Sequence, residues 1–500
     1  MKRILLVFVC CMTLMGYAQA PFGERPRLVV GVVVDQMRWD YLSRYYDKFG
    51  SDGFRRLIDK GFSCDNCLIN YVPTITAIGH ASVYTGTTPA FHGICGNYFY
   101  IAGQKVYCCA DSTVMPVGSD NPKGKMSPRN MVSTTIGDQL RLHTDFHSKV
   151  IGVSYKDRAA ILPAGHSANA AYWLDLKNTC FFTSTYYMKN LPKWVQEFNK
   201  QLQKNKEVKK LGEDIGLSPL CGTVITDMAI AALKNEQLGK GVETDMLCVS
   251  YSQTDLIGHT HGTRGKNTDA AYLQLDRDLG RLLKALDTQV GDGKYLLFLT
   301  ADHGAAHNWK FMQDNKLAAG AWSSSSMCER IEAAVAQRLG AKKNVIADVM
   351  DYRLFLDYRS IREQGLDERL VKQVVVETAR QEQDIVFAAA YEDVATSALP
   401  PLLRDRILMG YYPERSGDII YVVKPGFYEY GSWSSPTGTT HGSWNPYDAH
   451  IPCLFYGWKV RHGATSREVH INDIAPTVCQ MLHIQQPDAC SGEAILELTR

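Results

Sequence analysis

Carboxylate and imidazole side chains follow several apolar stretches of this sequence, and their types and spacing suit the binding of divalent cations. Together with one threonine and a later histidine in a glycine-bounded loop, these residues are Asp35, Thr76, Asp255, His259, Asp302, His303 and His441. Asp255 and His259 are four positions apart, so both can meet one cation if their segment is helical. Oxygen and nitrogen ligands without thiolate favour zinc, although manganese is chemically possible. The set is large enough for two adjacent metal ions.

Thr76 lies in the segment 71–97, whose sequence is YVPTITAIGHASVYTGTTPAFHGICGN. Pro73 favours an extended residue before it, and residues 77–84 can form two helical turns that end before a glycine. Thr76 is therefore expected at a helix N-terminus, where free backbone N–H groups and the helix dipole stabilise anions. This position makes Thr76 a candidate nucleophile. The alternative is an ordinary N-cap role for Thr74 or Thr76.

Strands and helices of a parallel sheet are the elements that must position these residues. The apolar runs that lead to them are 28–34, 149–154, 246–250 and 294–300. Such runs are typical of strands buried on both faces, and the leucine-rich stretch 270–286 predicts a crossover helix. Ligands of such sheets gather at the carboxyl ends of the strands. We therefore expect an α/β fold with a doubly wound, mostly parallel central sheet, helices on both faces and α+β insertions.

Seven motifs occur in one order along most of the chain. They are VVVDQMR, P-T-x-T-x-x-G-H, H-G-I-x-G-N, S-x-K-D-R-A, T-D-x-x-G-H, T-A-D-H-G and T-H-G-S, from Asp35 to His441. With these motifs the sequence resembles the alkaline phosphatase superfamily. Within it, the sequence is most similar to the nucleotide pyrophosphatase/phosphodiesterase-like branch that includes the PafA-type bacterial alkaline phosphatases.

This resemblance implies a role for each motif residue. It places the nucleophile at Thr76 and not at Thr74. It implies two Zn²⁺ ions, with one ligand set of Asp255, His259 and His441 and another of Asp35, Asp302, His303 and the Thr76 oxygen. The residues that would bind the phosphoryl oxygens are Asn97, Lys156 and Arg158.

The activity implied by the resemblance is hydrolysis of small-molecule phosphate monoesters through a phosphothreonine intermediate. Lys156 and Arg158 favour a monoester dianion because a diester has one charge fewer and a second alcohol group that needs room. The alternatives are a phosphodiesterase or nucleotide pyrophosphatase of the same superfamily, and a non-catalytic metal-binding or interaction protein.

The first 20 residues have the features of a secretory signal. Lys2 and Arg3 precede an apolar run that ends in Ala-Gln-Ala, so cleavage near Ala20 and export to the periplasm or the extracellular space are expected. The apolar run is too short to span a bilayer, and no later stretch is long and apolar enough. Residues 21–500 are then one catalytic domain with insertions at about 165–217 and about 332–417. The second insertion is predicted to be a small α+β unit.

The charge and cysteine content limit the possible partners and the redox chemistry. Without Lys2 and Arg3 the chain has 52 basic and 52 acidic residues, so no net charge attracts a nucleic acid. The lysine-rich stretch 200–210 is interpreted as one solvated helix face, and no partner protein is evident. Twelve cysteines remain after the signal, and an oxidising compartment would favour several disulfides of undetermined pairing. Cys64 and Cys67 form a CxxC pair, but a structural zinc there lacks a second ligand pair.

Overall fold

A ten-stranded sheet is the largest element of the fold. In a computed structural model the described residues are 24–431 and 434–499. The predicted signal segment 1–20 lies outside them. From one edge of the sheet to the other, its strands are Gly463–Thr465, Phe62–Cys64, Cys453–Gly457, Tyr295–Thr300, Leu28–Val34, Asp245–Tyr251, Val150–Ser154, Ala170–Asp175, Cys180–Ser184 and Pro116–Val117.

The centre of this sheet is parallel. Leu28–Val34 pairs in parallel with Asp245–Tyr251 on one side and with Tyr295–Thr300 on the other. Val150–Ser154 and Ala170–Asp175 continue the parallel order, and antiparallel pairings follow on both sides. At one edge the outermost pair, Phe62–Cys64 with Gly463–Thr465, is parallel. Every residue of Leu28–Val34 is buried, as expected for an apolar run covered on both faces. The predicted α/β fold class is confirmed.

Helices cover the sheet and supply its crossovers. Their bounds are Asp40–Arg44, Phe54–Lys60, Thr76–Thr85, Pro89–His92, Ile136–His143, Asp157–Ala164, Lys193–Leu202, Lys206–Leu211, Leu220–Asn235, Gln253–His261, Lys266–Gln289, Trp309–Asp314, Ser324–Leu339, Tyr358–Glu363, Glu368–Arg380, Tyr391–Val394, Pro401–Met409, Pro446–Ala449, Ile474–Leu482 and Leu496–Thr499. The predicted crossover helix is Lys266–Gln289, and its repeating leucines are buried in the main core. The lysine-rich stretch is exposed on two short helices rather than on one.

The two predicted insertions differ in how they join this core. Strands Ala170–Asp175 and Cys180–Ser184 of the 165–217 region lie in the main sheet and extend it. The 332–417 region belongs to a separate four-stranded antiparallel sheet with a core of its own. Its strands are Ile346–Met350, Arg353–Leu356, Ile419–Val423 and Ile385–Ala390. Helices Ser324–Leu339 and Glu368–Arg380 contribute to the same core, so the α+β unit extends beyond the predicted bounds on both sides.

Short strands complete the fold. A three-stranded sheet combines His450–Ile451, Cys67–Leu68 and Val469–His470. The hairpin Tyr98–Ile101 with Gln104–Tyr107 and the pair Gly320–Trp322 with Phe427–Glu429 are the remaining strands in the described residues.

The cysteines and the helix lengths bear on two further expectations. All twelve cysteines within the described residues are free thiols, so the structure contains none of the disulfides that the sequence led us to expect there.

No single helix among the described residues has the length and apolarity to cross a membrane, and only the bent pair Lys206–Leu217 and Leu220–Asn235, with 103° between its halves, passes that test jointly.

Candidate active site

Three buried carboxylates meet at the carboxyl edge of the central strands. Asp35 follows Leu28–Val34 directly, Asp255 lies in the helix Gln253–His261 after the next strand, and Asp302 follows Tyr295–Thr300. These side chains converge because the three strands are adjacent and parallel, so they end at the same edge. The three aspartates are at most 3% exposed. Burying three like charges is unfavourable unless cations compensate them.

Asp35, Asp302 and His303 form one compact group of possible metal ligands. One ligand atom from each lies within 4.8 Å of the others. The His303 Nε2 is 3.5 Å from Asp35 Oδ1 and 3.6 Å from Asp302 Oδ2. The Thr76 hydroxyl lies 3.4 Å from the same nitrogen. The candidate nucleophile therefore lies beside His303, a member of this group.

A second group, which also includes His303, is centred on Asp255 and His441. His441 Nε2 lies 3.7 Å from Asp255 Oδ1, and His259 Nε2 lies 3.0 Å from the same oxygen. The rings of His303 and His441 stack with centroids 3.5 Å apart. The structure thus brings together all seven predicted ligand residues and places His303 between the two groups.

The three histidines present the same ring nitrogen to the site. Nδ1 of His259 contacts the Thr439 carbonyl oxygen at 2.8 Å. Nδ1 of His303 contacts the Gly304 carbonyl at 2.9 Å, and the corresponding contact of His441 to Thr74 is 2.6 Å. A carbonyl only accepts hydrogen bonds, so Nδ1 carries the proton in each ring. Nε2 is therefore the ring nitrogen that faces the site and that can bind a metal ion in its deprotonated form.

Thr76 is the first residue of the helix Thr76–Thr85, as the sequence predicts. Ile75 before it is extended, and the glycine after the helix has a φ of 65°, which a residue with a side chain adopts only with strain. The backbone N–H of Ala77 donates to Asn97 Oδ1 at 3.2 Å. Because Asn97 uses its oxygen in this way, its amide NH₂ group is available to a ligand beside Thr76.

Lys156 and Arg158 follow the strand Val150–Ser154 and make different contacts. The Lys156 ammonium lies 2.7 Å from both Asp35 Oδ2 and Asp255 Oδ2, so it bridges the two ligand groups. The Arg158 guanidinium donates to the Tyr107 hydroxyl at 3.1 Å and lies 3.9 Å from the Asp157 carboxylate. One buried ammonium cannot neutralise three carboxylates, so the site retains a preference for further cations.

Burial and neighbouring charges shift the pKa values of the cluster. Burial and the charge of Asp302 raise the pKa of Asp35 to about 8. Burial also acts to raise the pKa of Asp255, but the charges of His259 and Lys156 hold it well below its usual range. Burial and the neighbouring His303 lower the pKa of His441 well below its usual range. An ionised Asp255 and a neutral His441 are the forms required for metal binding.

These residues fit a metal centre by their donor types and by one unused carboxylate oxygen. Both groups offer oxygen and nitrogen ligands, the set preferred by Zn²⁺ and other divalent first-row metals. Asp35 Oδ1 is buried without a hydrogen-bond partner. A buried carboxylate oxygen without a partner carries a large desolvation cost, which a coordinated cation removes.

Thr74 and His80 support the site, and the sequence reasoning assigned neither of them this role. The Thr74 carbonyl accepts from His441, while its hydroxyl donates to the Ser443 carbonyl at 2.9 Å and accepts from the Gly442 N–H at 3.1 Å. His80 Nδ1 lies 2.9 Å from the Thr76 carbonyl and 3.2 Å from Asp302 Oδ2. Both residues lie within the P-T-x-T-x-x-G-H motif, and this position was the sequence feature that could have indicated a supporting role.

Gln36 is a third supporting residue that the sequence reasoning missed. Its side chain donates to Asp255 Oδ1 at 2.6 Å, and its backbone N–H donates to Asp302 Oδ1 at 3.1 Å. Its φ of 63° is unusual for a residue with a side chain. This strained turn lets one residue contact two of the three carboxylates.

Comparisons with known proteins extend over nearly all of the chain. Residues 29–444 match the sequence model of the family described as type I phosphodiesterase / nucleotide pyrophosphatase. A protein of Myroides odoratus named calcium-transporting ATPase is 41% identical, with 99% of each chain covered. Alkaline phosphatase PafA of Elizabethkingia meningoseptica is 40% identical, again with 99% of each chain covered.

A solved structure gives the same relationship. The crystal structure of wild-type alkaline phosphatase PafA superposes with a TM-score of 0.91 at 40% identity, over 95% of this chain and 99% of that one. The family match spans most of the chain, and the full-length similarity agrees with it. The chain belongs to the type I phosphodiesterase / nucleotide pyrophosphatase family of the alkaline phosphatase superfamily.

Proposed function

We propose that this chain is a phosphate monoester hydrolase of the alkaline phosphatase type that uses Thr76 as its nucleophile and releases inorganic phosphate. The observation that carries the proposal is the position of the Thr76 hydroxyl. It lies at the start of a buried helix and 3.4 Å from His303, beside the cluster of buried carboxylates. Full-length similarity to an alkaline phosphatase supports the same activity.

Two Zn²⁺ ions are the proposed cofactors. The proposed ligand sets are Asp255, His259 and His441 for one ion, and Asp35, Asp302, His303 and the Thr76 oxygen for the other. His303 is assigned to the second set because its Nε2 lies near both Asp35 and Asp302. When bound, such ions act as Lewis acids toward the attacking and leaving oxygens of a phosphoryl transfer.

The proposed reaction has two displacements at phosphorus. In the first, Thr76 Oγ forms a bond to phosphorus while the bond from phosphorus to the alcohol oxygen breaks, which yields a phosphothreonine and the alcohol. In the second, a water oxygen attacks the same phosphorus, and Thr76 Oγ leaves and regains a proton. Two in-line displacements give retention of configuration at phosphorus.

The proposed role of the remaining site residues is to stabilise charge on the phosphoryl oxygens. The Asn97 amide group is free to donate because its oxygen accepts from Ala77. Lys156 and Arg158 add two positive charges, and the helix N-terminus adds backbone N–H groups. The transition state of phosphoryl transfer is loose, so charge placement around these oxygens contributes much of the rate.

A phosphodiesterase or nucleotide pyrophosphatase is the second candidate, because the matching family is described by those activities. The pair Lys156 and Arg158 favours the monoesterase. A monoester dianion shares two charges over three non-bridging oxygens, whereas a diester has one charge and a second alcohol group that needs space. No observation favours the non-catalytic alternative.

The decisive experiment compares phosphate release from a monoester and from a diester of the same alcohol by the full-length protein. We expect the larger kcat/KM for the monoester and loss of both activities after dialysis against a chelator. Activity should return when Zn²⁺ is added back. A preference for the diester would favour the phosphodiesterase or nucleotide pyrophosphatase instead. Full activity in a metal-free preparation would contradict the metal assignment.

Export and domain organisation are part of the same proposal. We propose cleavage near Ala20 and release to the periplasm or the extracellular space. The remaining residues 21–500 would act as one catalytic domain, with insertions at about 165–217 and 332–417, on small-molecule phosphate monoesters. The mass of the N-terminal peptide of protein secreted by the native host tests the cleavage site directly.

A further inference from the structure

Three thiols form a buried cluster beside the main sheet. Cys64, Cys67 and Cys453 are each at most 1% exposed. Cys64 ends the strand Phe62–Cys64, and Cys453 begins the strand Cys453–Gly457 that pairs with it. The proposed phosphatase chemistry uses none of the three.

The strand register places Cys64 opposite Cys453. These strands are antiparallel, with Phe62 paired to Phe455 and Ser63 paired to Leu454. The next position along both strands aligns Cys64 with Cys453. Directly opposed residues of an antiparallel pair have Cα atoms about 4.5 or 5.5 Å apart, which lies within the range of about 4.4 to 6.8 Å between the Cα atoms of a disulfide. Cross-linking the two thiols therefore requires only a small adjustment.

Cys67 brings a third sulfur to the same place. Its strand Cys67–Leu68 pairs with His450–Ile451, so Cys67 is opposite Ile451, two residues before Cys453. The pKa values of all three thiols are raised, and burial and the neighbouring thiols are among the causes. By strand register, Cys453 is opposite Cys64 and two residues from the partner of Cys67, so it is the neighbour of both.

A shared metal ion does not account for this cluster. A single cation needs ligand atoms that all lie close to one another. Within the part of the chain that the structure describes, the two groups that meet this condition are those of the active site. Cys453 has Cys64 opposite it and Cys67 on the adjoining short strand, and this placement suits thiol–disulfide chemistry.

We propose that Cys453 and Cys64 are a site of oxidative modification that forms a disulfide, with Cys67 as a third thiol able to exchange into it. The oxidant is a disulfide compound such as oxidised glutathione or the disulfide of a thiol oxidase. Two protein thiols lose two electrons and two protons, and the oxidant is reduced to two thiols. Exchange consumes no oxidant: the Cys67 sulfur attacks Cys453, and Cys64 leaves as a thiol.

The bond would join distant parts of the chain near the active site. It would link residue 64 to residue 453 and close a loop that contains nearly the whole catalytic domain, which restricts the unfolded chain. Cys453 also pairs with Thr300, two residues before Asp302. We therefore expect oxidation to raise the melting temperature of the protein.

The test is disulfide mapping of the full chain folded in glutathione buffer at an oxidising ratio. Free thiols are alkylated in denaturant, and the peptides are analysed by mass spectrometry before and after reduction. We expect a cross-linked peptide that joins Cys453 to Cys64, with a minor species that joins it to Cys67. The melting temperature should fall when the oxidised protein is treated with dithiothreitol.

Single variants distinguish this arrangement from random oxidation. In Cys64→Ser the bond should move to Cys67 and Cys453, whereas Cys328→Ser in the α+β unit is a matched control that should leave the wild-type cross-link unchanged. Wild-type protein in which Cys453 remains alkylated after oxidative folding would overturn the proposal. This measurement needs no variant, so it stands even if a substitution prevents folding.

Discussion

Alanine substitution of the two threonines of the P-T-x-T motif is expected to have opposite effects on stability and on activity. The Thr76 hydroxyl has one long contact, 3.4 Å to His303, whereas the Thr74 hydroxyl bonds both the Ser443 carbonyl and the Gly442 N–H. Thr76→Ala should therefore leave the fold nearly intact and remove the nucleophile. Thr74→Ala should weaken the fold and retain most of the chemistry.

The structure gives a magnitude for each effect. Thr74→Ala leaves one buried carbonyl and one buried N–H without a partner, at about 1 to 3 kcal/mol each, so the free energy of unfolding should fall by about 2 to 6 kcal/mol. The backbone carbonyl that orients His441 remains, so activity should fall only about tenfold, the low end for residues that orient a metal ligand. Thr76→Ala should cost about 1 kcal/mol of stability or less and abolish measurable turnover.

Two measurements on each purified variant test this prediction. Urea unfolding reports stability, and the initial rate of phosphate release from a monoester reports activity. Thr74→Ser and Thr76→Ser are the matched controls, because each keeps its hydroxyl oxygen and should retain most of the wild-type property. If folded Thr74→Ala lost as much activity as Thr76→Ala, or if Thr76→Ala kept activity within tenfold of wild type, the assignment of the nucleophile would be refuted.

Four further predictions follow from other contacts. Tyr107→Phe removes the hydroxyl that holds the Arg158 guanidinium, so kcat/KM for a monoester should fall about tenfold; the same change in an Arg158→Ala background should have no further effect. Replacing both Lys156 and Arg158 by alanine should reduce monoester hydrolysis by orders of magnitude and diester hydrolysis much less; parallel losses would contradict the monoesterase assignment. Chelation of bound metal should lower the melting temperature, since an ion that binds only the folded state stabilises it; an unchanged value would argue against a metal centre. Burial raises the pKa of Asp448 to about 7, so the folded protein is stabilised by the protonated carboxyl below about pH 4, and the free energy of unfolding should fall by up to about 4 kcal/mol as the pH rises from about 4 to 7. In Asp448→Asn this fall should be absent. If the free energy of unfolding of Asp448→Asn changed with pH in parallel with that of the wild type, the effect would be excluded.

Much of the fold and of the candidate site could be predicted from local sequence. The strand Leu28–Val34 and the helix that begins at Thr76 have the predicted positions, because a continuous apolar run and a proline-to-glycine interval are local signals. Most of the candidate metal-ligand residues were predicted because an acidic residue or a histidine after a buried strand is recognisable without knowledge of its neighbours.

Tertiary structure decided what depends on residues distant in the chain. The sequence led us to expect disulfides, but whether two cysteines pair depends on strand register, and the structure has free thiols with Cys453 opposite Cys64. Strand order likewise placed the 165–217 region in the main sheet.

The supporting role of Thr74 was also beyond sequence reasoning. It depends on a loop 367 residues away that brings His441 to the Thr74 carbonyl. Residue type and local spacing therefore identify which groups can bind and react. Their partners, orientation and protonation are set by burial and long-range contacts, which exist only in the folded chain.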